Sequence, residues 1–314
     1  MRVLITGGAG FIGSHVADAA LAQGWEVGVL DNLSTGHRRN VPSDASFFAV
    51  DLRDREATEG VIRDFAPQAV SHQAAQASVA VSVADPYLDV SANVVGSVNL
   101  FDACKKHGTR RVVFASTGGA IYGEVPPGER ARVDWPGAPI SPYAISKLAV
   151  DQLLDVYRDH HGLECSVLRY ANVYGPRQDP HGEAGVVAIF FNRTLAGEAL
   201  RINARRTKGD EGCIRDYTYV SDVARANILA LEGKVKAPIV NIGTGTETTT
   251  RELAVEISRL TGQAPQLVPS DPRAGDLERS VLDPVDCTKL LGEMVEVADG
   301  LAKTHEWFRV PPAG

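Results

Sequence analysis

The sequence predicts an α/β protein: a doubly wound parallel sheet of about seven strands, with a smaller, discontinuous C-terminal second domain. Three observations lead there. Short β-branched runs alternate with helix-length amphipathic segments through the first three quarters of the chain. A strand runs straight into closely spaced glycines at the N-terminus, and two Gly/Pro-rich interruptions flank a late return to strand sequence. The strands read from the pattern are 2–6, 26–30, 47–50, 69–72, 112–116, 165–170 and 239–242. Strands separated by helices need crossover connections, hence parallel pairing with helices on both faces. After Tyr170 the alternation breaks into 175–185 (GPRQDPHGEAG), and a second irregular stretch, 264–285, contains Pro265, Pro269, Pro272 and Pro284. The predicted division is 1–175 plus 236–263 for the main domain and 176–235 plus 264–314 for the smaller one.

Bulk properties exclude several functions. The 314 residues are 44% hydrophobic and 23% charged, the balance of an ordinary soluble globular chain. A net charge of −7 gives no basic footprint for nucleic acid. Cys104, Cys165, Cys213 and Cys287 form no CxxC pair and read as scattered buried thiols in a reducing compartment. Met1 is followed by no basic leader and no long apolar stretch, so neither a signal peptide nor a membrane span is expected, and the expected location is cytoplasmic. No metal site is expected, because the eight histidines include no HxH or HExxH and the adjacent His160 and His161 point about 100° apart on a helix. His72, at a strand end, reads as structural.

The first strand leads into Gly7-Gly8-Ala9-Gly10-Phe11-Ile12-Gly13 and a helical segment at 14–23, closed by Gly24. Gly7 permits the tight turn, Gly10 lets the backbone approach a pyrophosphate, and Gly13 lets helix and strand pack closely. Unpaired N–H groups and the positive dipole end at the helix start favour phosphate. Asp31 ends the next strand, 18 residues after Gly13, where a carboxylate accepts hydrogen bonds from a ribose diol. The same carboxylate repels a 2′-phosphate, which favours NAD over NADP. Asp51 fits either a contact to the adenine ring or a helix cap.

A second constellation begins a strong helix at Ser141-Pro142-Tyr143-Ala144-Ile145-Ser146-Lys147. Ser141 suits the N-cap and Pro142 the first helical position, and Gly162 ends the helix. Its expected apolar face is Ile145, Leu148, Ala149, Leu153 and Val156. Tyr143 and Lys147, four apart, share one face. A free phenol has a pKa of about 10, so only about a thousandth is ionised at neutral pH. A neighbouring ammonium and a positive nicotinamide ring favour the phenolate, and a drop of ~3 units is worth ~4 kcal/mol. Tyr143 then becomes a usable general base.

With these residues in view, the chain resembles the extended short-chain dehydrogenase/reductase family, and within it the UDP-galactose (UDP-glucose) 4-epimerases. The resemblance runs through TGGAGFIGSH, LDNLSTG at 30–36, HQAAQASV at 72–79, STGGAIYG at 116–123, YAISK at 143–147, RYANVYGPRQ at 169–178, RDYTYVSDVA at 215–224, NIGTG at 241–245 and RAGD at 273–276. It implies a Rossmann-type NAD site formed by Gly7, Gly10, Phe11, Ile12, Gly13, Asp31, Asn32, Ser34, Gly36, Asp51, Leu52, Ala74, Ala75, Gln76, Asn93, Ser116, Tyr143, Lys147, Tyr170 and Val173. It implies that Asn172, Arg215, Arg273 and Asp276 belong to the nucleotide-sugar site, with the arginines at the diphosphate, and that Val186 and Leu200 line the uridine. The implied reaction is epimerisation at C4 through a 4-keto sugar, with Thr117, Tyr143 and Lys147 in the chemistry.

One position departs from the family. Many members carry a serine or threonine four residues before the tyrosine of the xYG turn, where this chain has Gly118. The nearest hydroxyls are Thr117 and Ser116; Thr117 is expected to contact the sugar, the alternative being water or Tyr143 alone. The related 4,6-dehydratases place an Asp-Glu pair directly after the threonine, where Gly118-Gly119 stand, and decarboxylases commonly carry a glutamate in this turn, where Ala120-Ile121 offer none. A non-catalytic NAD-binding protein would lack the Tyr/Lys pair. The resemblance further implies a homodimer through segments near 93–106 and 144–160, with Val94, Val98, Leu154 and Tyr157 as contact candidates. It also implies a size gate beside the sugar's C2 group at Ser280, four beyond Asp276.

Overall fold

The computed structural model describes residues 1–180, 185–273 and 275–310. Residues 181–184 of the first Gly/Pro-rich stretch, Ala274 of the RAGD motif and residues 311–314 lie outside the described residues. Two compact units form: Met1–Thr117, Pro139–Arg169 and Val223–Val240 make the first, and Gly118–Ala138, Tyr170–Asp222 and Asn241–Gly314 the second.

The first unit opens with β1 (Arg2–Thr6), α1 (Phe11–Ala22), β2 (Glu26–Leu30), β3 (Ser46–Phe48), α2 (Arg55–Phe65) and β4 (Ala69–His72). It continues through α3 (Val79–Ala84), α4 (Pro86–Val90), a π-helical turn at Ser91–Val95, α5 (Gly96–Lys106) and β5 (Arg111–Thr117). After α6 (Gly118–Ile121) come α7 (Pro142–His161) and β6 (Glu164–Tyr170). With β7 (Asn172–Tyr174), α8 (Val186–Leu195), β8 (Leu200–Asn203), β9 (Ile214–Arg215), β10 (Tyr217–Tyr219), α9 (Val220–Leu231) and β11 (Ile239–Ile242) the chain returns to the main sheet. Its seven strands are ordered β3-β2-β1-β4-β5-β6-β11, the doubly wound arrangement that the alternation predicts. β1 pairs in parallel with β2 and β4, β2 with β3, and β4 with β5. The strands read as continuous apolar runs because both faces are covered, and Leu4, Ile62, Val70, Phe101, Phe114 and Leu154 share one core.

Three elements differ from the sequence reading. α1 begins at Phe11, not 14, because Gly10 holds an extended N-cap conformation and Gly13 is already helical. β3 ends at Phe48 because the Val50 N–H turns back to the Phe48 carbonyl at 3.0 Å. The buried face of α7 is Ala144, Ser146, Lys147, Val150, Asp151, Leu154 and Tyr157, whereas Ile145 and Val156 of the expected apolar face are exposed. Two of the proposed contact residues, Leu154 and Tyr157, are therefore core, and Val94 packs against that core. Exposed apolar side chains here include Val81, Val83, Tyr87, Val90, Val95, Ile140, Ile145 and Val156.

The second unit adds β12 (Thr248–Thr249), α10 (Thr250–Thr261), β13 (Leu267–Ser270), β14 (Arg279–Ser280), α11 (Val285–Leu291) and α12 (Val297–Arg309). Its sheets are small: β7 with β10, β8 with β13, and β12-β9-β14. Tyr174, Phe190, Phe191, Leu200, Ile257 and Leu301 form its core. α10 starts with a capping box between Thr249 and Glu252. Several segments fall differently from the expected division, among them Gly118–Ala138 and residues 170–175, which lie in the second unit. Most of α9 lies in the first unit, where buried Asn227 receives the Ser71 hydroxyl at 3.1 Å and the Gln73 amide at 2.9 Å from β4 and the residue after it. α10 lies in the second, because Leu253, Ala254 and Ile257 pack into that core.

All four cysteines are free thiols. Among the described residues no group of three or more His, Cys, Asp or Glu side chains could hold a metal, and no helix is long and apolar enough to cross a membrane.

Candidate active site

The glycine loop follows the steric logic of its spacing. Gly7 has φ of 67°, and a Cβ there would lie 2.6 Å from the Ala74 nitrogen. At Gly13 a Cβ would meet the Gly7 carbonyl oxygen at 2.2 Å, so α1 packs on the loop with no room for a side chain. At Gly10 the nearest atom to a Cβ is the Gly7 oxygen at 3.2 Å, and nothing else lies within contact distance. The backbone on that side is therefore open to a close ligand, as a pyrophosphate needs. No side chain caps α1, so its first N–H groups keep their capacity for an anion. These features fit a dinucleotide.

Asp31 sits at the end of β2, buried, and its carboxylate accepts from Ala9 N–H at 3.0 Å and from Leu33 N–H at 2.8 Å. Burial pushes its pKa up while the two amides pull it down. A carboxylate has about four lone-pair sites, so two amides leave capacity for a diol. Leu33 has φ of 57°, and a Cβ at Gly36 would meet the Ala9 carbonyl carbon at 2.9 Å, so the chain doubles back over the loop. Asn32 donates to Asp51 at 2.8 Å and accepts from Ser34 N–H at 3.0 Å. The cap of α2 is Asp54, not Asp51. Asp51 instead pairs with Arg53 at 2.7 Å, which holds its carboxyl well below the usual range. Leu52 packs in the main core.

A buried polar chain links β1 to the helix that carries the tyrosine. Thr6 Oγ1 and His72 Nδ1 are 2.7 Å apart, and His72 Nε2 is 2.9 Å from Ser97 Oγ. Ser97 Oγ donates to the Asn93 carbonyl, and Asn93 Nδ2 donates to Ser146 Oγ at 3.1 Å. Ser146 Oγ donates to the Tyr143 carbonyl at 2.9 Å. Burial, with the Lys147 charge behind it, drops His72 to about 3 and keeps it neutral. Asn93 and Gln76 also exchange hydrogen bonds at 2.8 and 3.0 Å, which fixes the segment after Ala74 and Ala75.

Ser141 caps α7 by accepting from Ala144 N–H at 3.3 Å, and Pro142 occupies its first turn. Tyr143 is half-buried at this helix start. Lys147, one turn on and 3% exposed, donates from Nζ to the Ala115 carbonyl at 2.9 Å and lies 4.7 Å from the Phe114 ring centroid. Ser116 and Thr117 are buried at the end of β5. The first unit thus carries the loop residues, the acidic residues and the Tyr/Lys pair.

In the second unit Asn172 lies on β7, Val173 beside it, and buried Tyr170 at the end of β6. The Arg215 guanidinium is held by the Ile214 carbonyl at 2.9 Å and the Leu277 carbonyl at 2.7 Å. Arg273 pairs with Asp276 at 2.9 Å. Ser280 is buried, and its hydroxyl donates to the Gly119 carbonyl at 3.1 Å. Val186 begins α8 half-buried. Leu200, on β8, is 1% exposed and belongs to the core of the second unit.

The sequence profile of the NAD dependent epimerase/dehydratase family matches residues 3–243. The chain belongs to this family. The UDP-glucose 4-epimerase of Mycolicibacterium smegmatis, a family relative, is 44% identical over 98% of this chain and 99% of its own. The crystal structure of a Thermus thermophilus UDP-glucose 4-epimerase in complex with NAD is 55% identical, with a TM-score of 0.95 over 99% of this chain and all of that one. A Thermotoga maritima UDP-glucose 4-epimerase structure with UDP-glucose is 44% identical, with a TM-score of 0.91 over 98% of this chain and 99% of its own.

Sequence reasoning missed one buried group beside the family's Tyr/Lys pair. Asp151, four residues after Lys147, shares its helix face, and a carboxylate at that spacing was the available signal.

Proposed function

We propose that the protein is an NAD-dependent 4-epimerase that interconverts UDP-glucose and UDP-galactose. The observation that carries this reading is the Tyr143/Lys147 pair on the capped start of α7, in a unit whose glycine loop and Asp31 suit NAD, with relatives over nearly the full chain that are UDP-glucose 4-epimerases. NAD supplies, when bound, the acceptor and donor of the hydride that leaves and returns to C4. Tyr143 takes the proton of the sugar's 4-hydroxyl and later returns it, and the Lys147 charge favours the phenolate. Arg215 and Arg273 hold the diphosphate, with Asn172 beside the sugar, so the ring can turn about its tether and present its other face. Thr117 is the hydroxyl of the β5 turn that contacts the sugar oxygen, since Gly118 offers none and Ser116 faces Asp151. Proton NMR of UDP-galactose with the purified protein should show UDP-glucose appearing; a 4-keto-6-deoxy product would establish a dehydratase instead.

The substrate range extends to N-acetylated UDP-sugars. Ser280 beside Gly119 is small, and forcing extra atoms into a packed wall costs about 1–3 kcal/mol. Wild type should turn over UDP-N-acetylglucosamine, and Ser280→Tyr should lose that activity while keeping UDP-glucose. Equal kcat/KM ratios in both proteins would remove Ser280 from this role.

The protein acts in the cytoplasm as a homodimer. Support for the dimer comes from Val83, Tyr87, Val90, Val95, Ile145 and Val156, apolar and exposed on neighbouring helices of the first unit, with Tyr87 84% exposed. Light scattering at micromolar concentration should give twice the 33.5 kDa chain mass, and Tyr87→Asp should shift it toward one. A monomeric wild type would reject the dimer.

A further inference from the structure

The buried face of α7 carries a charge that the epimerisation scheme leaves unused. Asp151 lies one helical turn after Lys147, 2% exposed, and its carboxylate receives Arg169 Nε from β6 at 2.9 Å. Arg169 is itself buried, and a guanidinium keeps its proton in any protein environment, so the pair favours an ionised Asp151. The second carboxylate oxygen, Oδ1, has no hydrogen-bond partner, and neither does the Ser116 hydroxyl, which lies against this carboxyl. Lys147 and Asp151 thus face the same strand: the ammonium binds the Ala115 carbonyl, and the carboxylate stands against Ser116, the next residue. Burial raises the Asp151 carboxyl above its ordinary value, while Arg169, Ser116 and Lys147 act against that rise.

We infer that Asp151 is a positioning residue for Lys147: backed by Arg169, its carboxylate keeps the ammonium charged and fixed against β5, one turn from Tyr143. The inference rests on Tyr143 and Lys147 being the proton-transfer pair. The groups that interact electrostatically with the ammonium include Asp151 on α7, with Arg169 of β6 paired to its carboxylate, and His72 on β4, which is neutral. Of these, Asp151 is the group that carries negative charge. The energetic reason is local. A buried ammonium is costly unless a negative charge accompanies it. Without the carboxylate, the Arg169 charge is no longer offset beside α7 and disfavours the protonated form of Lys147.

The test is the pH dependence of kcat, whose alkaline limb reports loss of the Lys147 proton. Asp151→Asn should move that limb down by about one pH unit or more, and Asp151→Glu should return it most of the way. The neutral pair Asp151→Leu/Arg169→Met, built because apolar replacement of a buried ion pair commonly preserves folding, should move the limb in the same direction by a smaller step. A second readout needs no turnover: the ultraviolet phenolate titration of each protein, minus that of its Tyr143→Phe counterpart, isolates Tyr143. In Asp151→Asn that difference curve should lose its low-pH ionisation as Lys147 discharges. Folded Asp151→Asn with an unmoved alkaline limb and an unmoved difference titration would overturn the inference. If Tyr143→Phe and Lys147→Met both keep wild-type turnover, the proton-transfer assignment fails instead, and the two failures are separately visible.

Discussion

Tyr143→Phe is expected to lower kcat by about 10²- to 10⁴-fold, the usual contribution of a positioned acid–base group. The ring stays, so the packing at the start of α7 and its Ser141 cap are untouched. Nucleotide-sugar affinity should change little, because in the proposed scheme Arg215 and Arg273, not Tyr143, hold the diphosphate. Steady-state kinetics with isothermal titration would check both: a fall in kcat with an unchanged Kd is the signature of a group that acts in the transition state. Wild-type turnover would remove Tyr143 from the chemistry. Thr117→Ala should cost less, about 10- to 100-fold, as one hydrogen bond to a reacting group would.

Gly13→Ala should have the second large effect. Its Cβ would stand 2.2 Å from the Gly7 carbonyl oxygen and 2.9 Å from the Gly8 Cα, both backbone, so either α1 or the loop must move. A shift there costs about 3 kcal/mol or more and opens the phosphate site. Urea unfolding should show a lower midpoint, and the variant after gel filtration should carry less than a tenth of the wild-type dinucleotide. Gly24→Ala is the control. Its φ is 71° but a Cβ there meets nothing, so it should lose only the ~1–2 kcal/mol of left-handed backbone and keep its dinucleotide. Equal dinucleotide retention in both variants would contradict the packing account of the loop.

The sequence carried the fold because the physics of each element was local. β1, the glycine loop and Asp31 are contiguous signals, and crossover geometry then dictates parallel strands. The Tyr143/Lys147 spacing was legible for the same reason. What was illegible depended on which neighbour a face meets. Ile145 and Val156 repeat with helical period whether they meet the core or a second surface, and the buried face of α7 is partly polar, with Ser146, Lys147 and Asp151. Periodicity alone therefore assigned the wrong side. Asp51 and Asp54 both precede α2, and only the backbone decides that Asp54 caps it. Leu200 stands in a short strand whose pairing with β13 comes from 67 residues later, so nothing nearby marked it as core. Arg169 and Asp151 are 18 residues apart, joined only when β6 packs against α7.

In the proposed epimerisation, C4 is oxidised and re-reduced within one active site, with no net redox. UDP-galactose deuterated at C4, incubated with the protein as purified and without added dinucleotide, tests it most directly. UDP-glucose should appear with the deuterium kept at C4, read by proton NMR and mass spectrometry. UDP-glucose carrying protium at C4 would contradict it.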